Sequence, residues 1–210
     1  MIKMIALDLG GVIITMDNDE PVRRFKELGI KNVEQMLDPY VQSGLFGDLE
    51  QGKISEEQFR KELSRYAGKE LTWEECQYGW KGYVKEVPQY NLDAMLKLRN
   101  MGFRVVLASN TNGFMQAWAD SEDFSPDGHP ISYYCDAMYR SHEMHEMKPS
   151  DRFFRYMLTH EKMIPSDVLF VDDSARNCAS ASQLGMHTFC PYNGADWVST
   201  LFDMVDKNKV

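Results

Sequence analysis

Several signatures that would announce a chemistry at once are missing from this chain. There is no G-x-x-x-x-G-K-[ST] phosphate loop, no G-x-G-x-x-G dinucleotide fingerprint and no G-x-S-x-G nucleophile elbow. Cysteine is sparse: Cys76, Cys135, Cys178 and Cys190 form no Cys-x-x-Cys pair, which excludes a zinc ribbon and a redox dithiol. The spacing predicts reduced thiols in a cytoplasmic protein. No run approaches the ~18 uncharged apolar residues of a membrane span. The opening residues, MIKMIALDLGGVII, are interrupted by Lys3 and Asp8 and offer no small-residue cleavage site, so they read as structure rather than as a secretion signal. A basic excess is also absent. With 23 Lys and Arg against 32 Asp and Glu the net charge is −9, and neither nucleic acid nor an anionic membrane is an expected partner.

What is present is ordinary for a globular chain. Of 210 residues, 43% are hydrophobic and 26% charged, which fits one or two domains with a real core. Ile2 to Leu7 reads as a buried strand closed by a Gly-Gly turn. From Thr15 to Glu86 every signal is helical. Pro21 marks a first turn and Gly29 a stop, while Ser55 with Gln58 and Thr72 with Glu75 are capping boxes that predict helices over 56–67 and 73–82. Beyond Pro88 strands and helices alternate. Strands are expected at Arg104–Ala108, Ala137–Tyr139, Val168–Val171 and Thr188–Phe189, with helices near 88–101, 113–120, 151–161 and 174–184. That alternation predicts an α/β fold, a Rossmann-like parallel sheet. About 95 residues separate the first two strands, far more than a crossover needs. Residues 15–86 therefore read as a small all-helical cap inserted after strand one. The core would comprise 1–14 and 87–210, with linkers near Ile14–Asp17 and Lys85–Pro88.

The expected strand ends carry polar residues that a core does not explain. Strand one stops at Asp8, strand two at Ser109, Asn110, Thr111 and Asn112, and strand four at Asp172 and Asp173. Lys148 and Pro149 follow the third strand, before a helix opening at Ser150. In a parallel sheet these ends share one rim. Taken singly each has a bland use: Asp8 in a turn, Ser109 or Thr111 as a helix cap, Lys148 in solvent, the acidic pair capping the next helix. Taken together they imply a site. Three crowded carboxylates repel, and oxygen-only ligands of that kind suit Mg²⁺. Asp8 as a carboxylate nucleophile, a cation, Lys148 and the Ser109 hydroxyl are the parts that phosphoryl transfer through an aspartyl-phosphate requires.

The four motifs in this order, Asp8 to Ile13, Ser109 with Asn110, Lys148 with Pro149, and Val171 to Asp173, resemble the haloacid dehalogenase superfamily over nearly the whole chain. The helical segment resembles that family's small C1 cap. Gly47, Gly52, Ile54, Ser55 and Phe59, with Tyr139, Ser141 and Met147, resemble the bacterial glucose-1-phosphate phosphatase-like subgroup. The resemblance implies catalytic roles for Asp8 and Lys148. It implies phosphate binding by Ser109, Asn110 and Lys148, and Mg²⁺ held by Asp8, the Gly10 carbonyl, Asp172 and Asp173. It also implies a small phosphorylated metabolite as partner, a sugar 1-phosphate among the candidates, for a monomer or homodimer.

One position departs from the family. Where most of its phosphatases carry an Asp two residues after the nucleophile as general acid and base, this chain has Gly10. An anomeric alcohol, being more acidic, leaves with less need of that proton. Asp17, Asp19, His142 and His145 are the candidates for a replacement. Among Trp73, Tyr78, Trp80 and Tyr83, one aromatic could face a sugar ring while the others fill the core. Two rival readings follow: a weak or silent relative that binds a phosphorylated ligand, and a metal-free 2-haloacid dehalogenase, which the acidic pair at 172–173 disfavours.

Overall fold

The computed structural model describes residues 1–37 and 44–207. In chain order the elements are β1 (Met4–Leu7), β2 (Thr15–Met16), α1 (Glu20–Glu27), α2 (Val33–Met36), α3 (Gly44–Glu50), α4 (Glu56–Ala67), α5 (Trp73–Trp80) and β3 (Val84–Glu86). There follow α6 (Gln89–Asn100), β4 (Arg104–Ser109), α7 (Gly113–Ala119), β5 (Ala137–Arg140), α8 (Ser141–Met144) and α9 (Asp151–Glu161), then β6 (Val168–Val171), α10 (Ala175–Gln183), β7 (His187–Phe189) and α11 (Val198–Lys207). Five strands form one sheet in the order β5-β4-β1-β6-β7, every pairing parallel. The α/β expectation and the strand positions hold.

β1 sits in the middle and is buried throughout. Its alternate residues serve two separate cores. Ile5 and Leu7 join Val105, Leu107, Leu169 and Val171 on one face. Met4 and Ala6 join Val106, Ala108, Val168 and Phe170 on the other, under Phe153, Phe154 and Met157 of α9. A period of two on a strand covered on both faces explains the continuous apolar runs in the sequence. Register then sets the rim. Leu7 lies opposite both Leu107 and Val171, so Asp8 and Asp172 each stand one residue beyond the same level.

The helical segment packs into the first of these cores, which is continuous from Leu7 through Phe25, Phe46, Phe59 and Trp80. Both capping boxes form as the sequence predicts: Ser55 Oγ and Thr72 Oγ1 accept the backbone N–H of Gln58 and Glu75, whose side chains return the bond. Further ties reach α7. Glu56 Oε1 accepts the Gly113 N–H at 2.9 Å, Gln77 Nε2 donates to the Phe114 carbonyl at 3.0 Å, and the Trp73 ring lies 4.4 Å from that of Phe114.

The all-helical expectation for 15–86 needs correction at its ends. Thr15–Met16 and Val84–Glu86 pair as a two-stranded antiparallel ribbon, so the two linkers bind each other. Strands of two and three residues are too short to show alternation in sequence, and only the pairing creates them. The caps also differ from their bland readings. Asn112, not Ser109 or Thr111, caps α7, its Oδ1 accepting from Phe114 and Met115. Ser174 occupies the cap position of α10 without a side-chain bond.

Candidate active site

Asp8, Asp172 and Asp173 each place a carboxylate oxygen within 4.8 Å of the others, the one such cluster of potential metal ligands among the described residues. Lys148 arrives from the loop after α8, with its side chain 1% exposed. Its Nζ lies 2.9 Å from Asp8 Oδ1 and donates to Asp172 Oδ2 at 2.6 Å and to the Ala108 carbonyl at 2.7 Å. All three ammonium donors are therefore used within the rim. Asp172, fully buried, also accepts from the Ser174 N–H at 2.8 Å and from Asn177 Nδ2 at 3.0 Å. Asp8 is 14% exposed and faces the cavity, as does Asp173.

The charges do not balance. One lysine stands against three carboxylates, and burial penalises each charge it does not pair. Burial raises the Asp8 carboxyl well above its ordinary range against the pull of Lys148, with repulsion from Asp172 and Asp173 adding to the rise. Burial, then Asp172, pushes Asp173 up to about 6. Burial would lower Lys148, but Asp172 and Asp8 outweigh it and hold the ammonium above the ordinary lysine value. An oxygen-only cluster with surplus negative charge fits a hard divalent cation.

Two further motif residues reach the rim. Ser109 is buried at the end of β4, its Oγ 3.3 Å from the Asn110 carbonyl. The Asn110 side chain clamps the Lys148 backbone, its Oδ1 accepting from the Lys148 N–H at 2.8 Å and its Nδ2 donating to the Lys148 carbonyl at 2.9 Å. The side chain thus fixes where the lysine stands and leaves the Asn110 backbone, which the resemblance assigns to phosphate, beside Ser109.

Gly11 is required at the turn after Asp8. Its φ is +73°, and a Cβ would lie 2.2 Å from Asp173 Oδ2. At Gly10 a Cβ would lie 2.7 Å from Met16 Sδ. Met16 is itself held on both backbone atoms by Asn193, at 2.8 and 2.9 Å. The thioether of β2 thus occupies the space that a side chain at position 10 would enter.

The site opens into a cavity of about 1040 Å³, floored by Asp8, Ser109, Lys148 and Asp173 and walled by Phe46, Glu50, Trp80 and Tyr83 of the helical segment. That volume is at the upper end for small-molecule sites. The four candidate replacement acids do not line it. Asp17 Oδ1 accepts the Asp19 and Glu20 N–H groups at the start of α1, and Asp19 holds its N-cap position. His142 Nε2 contacts Gln116 Oε1 at 2.6 Å, and His145 Nδ1 contacts the Gly52 carbonyl at 3.0 Å. Of the four aromatic candidates, Trp80 and Tyr83 face the cavity.

Sequence reasoning assigned no role to three groups, of which Ser141 entered only through the family resemblance. Asn177 orients Asp172 from one turn into α10. Ser141 Oγ joins sheet to helical segment, accepting the Thr111 N–H at 2.9 Å and donating to the Glu50 carbonyl at 2.5 Å. Glu50 itself ends α3, where the helix dipole disfavours an acid. That mismatch was the available signal, but it needs the helix boundary to be seen.

Comparisons with known proteins show the family and the fold. A model of the family described as haloacid dehalogenase-like hydrolase matches residues 2–185. A D-ribitol-5-phosphate phosphatase of Bacteroides thetaiotaomicron is 44% identical over 197 residues, covering 94% of this chain and 95% of that protein. A HAD-like family hydrolase from Porphyromonas gingivalis superposes with a TM-score of 0.93 at 41% identity, covering 98% of both chains. A HAD family enzyme of Bacteroides thetaiotaomicron, solved with magnesium and inorganic phosphate, superposes with a TM-score of 0.87 at 32% identity, covering 96% of this chain and 100% of that one.

Proposed function

The chain belongs to the haloacid dehalogenase-like hydrolases, and from that premise we propose that it is a Mg²⁺-dependent phosphomonoesterase acting on a small sugar or polyol phosphate through an aspartyl-phosphate. The observation that carries the reading is the meeting of Asp8, Lys148, Asp172 and Asp173 at the floor of one cavity large enough for such an ester. The similar proteins support the substrate class: one is a polyol phosphate phosphatase, and another was solved with magnesium and phosphate.

In this reading Asp8 attacks phosphorus, the alcohol leaves, and water then releases phosphate and regenerates Asp8. Lys148 neutralises charge on the transferring group while keeping Asp8 and Asp172 apart, and Ser109 donates to a phosphoryl oxygen. Mg²⁺, which Asp8, the Gly10 carbonyl, Asp172 and Asp173 would hold, supplies neutralising positive charge at the phosphoryl oxygens. Residues 15–86 act as a cap over the core of 1–14 and 87–210, and the aromatic wall of Phe46, Trp80 and Tyr83 selects the alcohol. The test is phosphate release from a panel of esters, with and without chelator and with Asp8→Asn. Turnover that survives both changes overturns the proposal.

A narrower reading takes the ester to be a sugar 1-phosphate. Gly10 favours it, since a leaving group of low basicity needs no acid at that position. Pairing hexose 1-phosphates with terminal polyol phosphates decides the point. A preference of about tenfold or more in kcat/KM for the anomeric esters, about 1.4 kcal/mol, upholds the narrower reading.

A further inference from the structure

The position that would carry the acid on the sheet side is empty of any side chain and is filled from β2 by Met16. A terminal alkoxide, however, is a poor leaving group without a proton, and positioned acid catalysis is typically worth ~10²–10⁴-fold. Among the described residues, the opposite wall of the cavity offers one carboxyl group. Glu50, the last residue of α3, is half-buried and lines the cavity that Asp8 floors. No hydrogen bond or ion pair holds its carboxyl group among the described residues, although ion pairs are frequent elsewhere in the helical segment. Its backbone is fixed: the Ser141 Oγ that donates to its carbonyl also accepts from the Thr111 N–H, next to Ser109 and Asn110. The acid is thereby registered to the sheet rather than riding on a loose segment. A half-buried carboxyl group lining a cavity with no partner among the described residues is costly, which argues for a use.

We propose that Glu50 is the acid and base of the reaction, supplied by the helical segment in place of the missing side chain at position 10. The inference rests on the phosphatase reading above, in its broader form and not in the narrower sugar 1-phosphate one, which needs no acid. As Asp8 oxygen bonds to phosphorus and the ester P–O bond breaks, the Glu50 carboxyl proton passes to the departing oxygen, giving a neutral alcohol and a Glu50 carboxylate. That carboxylate then takes a proton from water as the water oxygen attacks the aspartyl-phosphate. Phosphate leaves, and both Asp8 and Glu50 return to their starting forms. Burial alone pushes the Glu50 carboxyl up to about 7, so both of its forms are accessible near neutrality. Among the described residues, the other charged or titratable groups lining the cavity are Asp8, Lys148, Asp173, Arg176 and Tyr83. Of these, Tyr83 lies close enough to Glu50 for its phenol to be raised by that charge, after the larger effect of burial.

The experiment follows leaving-group release in the first turnover, in excess Mg²⁺, for the unaltered enzyme and Glu50→Gln. The probes are a terminal polyol phosphate and p-nitrophenyl phosphate, whose phenolate departs without a proton. The expected result is that Glu50→Gln slows polyol release on the order of 10²–10⁴-fold and leaves the p-nitrophenolate burst close to that of the unaltered enzyme. That retained burst also shows a folded, phosphorylatable protein. Equal slowing of both probes, no slowing of either, or a change confined to KM overturns the proposal. A second measurement needs no variant. Across a series of esters the unaltered enzyme should show little dependence of first-turnover rate on the basicity of the alcohol, and a steep fall overturns the role of Glu50 by itself. If the unaltered enzyme releases neither alcohol nor phenolate, the phosphatase reading fails instead.

Discussion

At the rim of the sheet the buried groups are charged, and in the helical segment opposite they are rings. Lys148 lies within 3 Å of both Asp172 and Asp8 in two ion pairs. Phe25, Phe46, Phe59 and Trp80 lie with centroids 5.1 to 6.1 Å apart, mostly edge to face or tilted. The first arrangement costs free energy that its own contacts only partly return, whereas the second is a source of it. Charges on the helical segment are instead displayed on its surface, as in the Glu20, Arg23 and Glu27 lattice of α1. The contrast separates two tasks. The sheet rim is organised for chemistry at the expense of stability, and the segment above it is organised for packing, with Glu50 its one cavity-facing carboxyl group among the described residues.

The contrast can be broken first at Asp8. Asp8→Asn should lower turnover by at least ~10⁴-fold while raising the melting temperature of the metal-free protein, because it removes one of three repelling carboxylates. Phosphate release and calorimetry read the two effects, and a melting temperature that falls would contradict the charge imbalance.

Next come two substitutions of similar size and different character. Lys148→Met strands Asp8 and Asp172 and should cost about 3–5 kcal/mol, less at low pH where the carboxyls take up protons. Phe59→Ala empties a fully buried site beside Phe46 and Phe114 and should cost about 3–5 kcal/mol independently of pH. Urea midpoints from acid to neutral pH distinguish them, and parallel losses would erase the distinction.

Removal of the cation probes the rim more gently. Asp8 and Asp173 have folded-state affinities for protons above those of unfolded carboxyls, so the folded form binds more protons than the unfolded one. Stability of the metal-free protein must then fall as pH rises from about 4 through 6, and further while Asp8 titrates. Mg²⁺ answers the same surplus charge and competes with those protons. The stabilisation on adding Mg²⁺, read as a rise in melting temperature, should therefore be larger at pH 8 than at pH 5, its free energy approaching about 2.7 kcal/mol at a hundredfold excess over Kd. A shift that shrinks with rising pH would rule out the carboxylate cluster as the binding site. The smallest effect is expected at the surface of the segment. Glu20→Gln, though it removes bonds to Arg23 and Arg24, should leave the melting temperature unchanged within error, since exposed ion pairs are screened.

Much of this was legible before any coordinates. Capping boxes, apolar strand runs and polar strand ends are local signals, each set by a few neighbouring residues, and all predicted the element that formed. The ribbon of Thr15–Met16 with Val84–Glu86 was not legible, because each strand exists only through the other, some 70 residues away. The same holds for the Asn110 clamp on Lys148, for Met16 against Gly10, and for Ser141 between Thr111 and Glu50.

The order of residues thus determined which groups stand at strand ends, because side-chain period and turn chemistry act over a few positions. Only the folded chain decided which of the remaining acids faces them. Asp17, Asp19, His142 and His145 were equal candidates by type, yet none of them lines the cavity and Asp17 and both histidines are engaged elsewhere, while Glu50 is delivered to the cavity by a helix whose position depends on contacts with distant residues. Proximity between segments that the chain separates is a property of packing, and packing is not written locally.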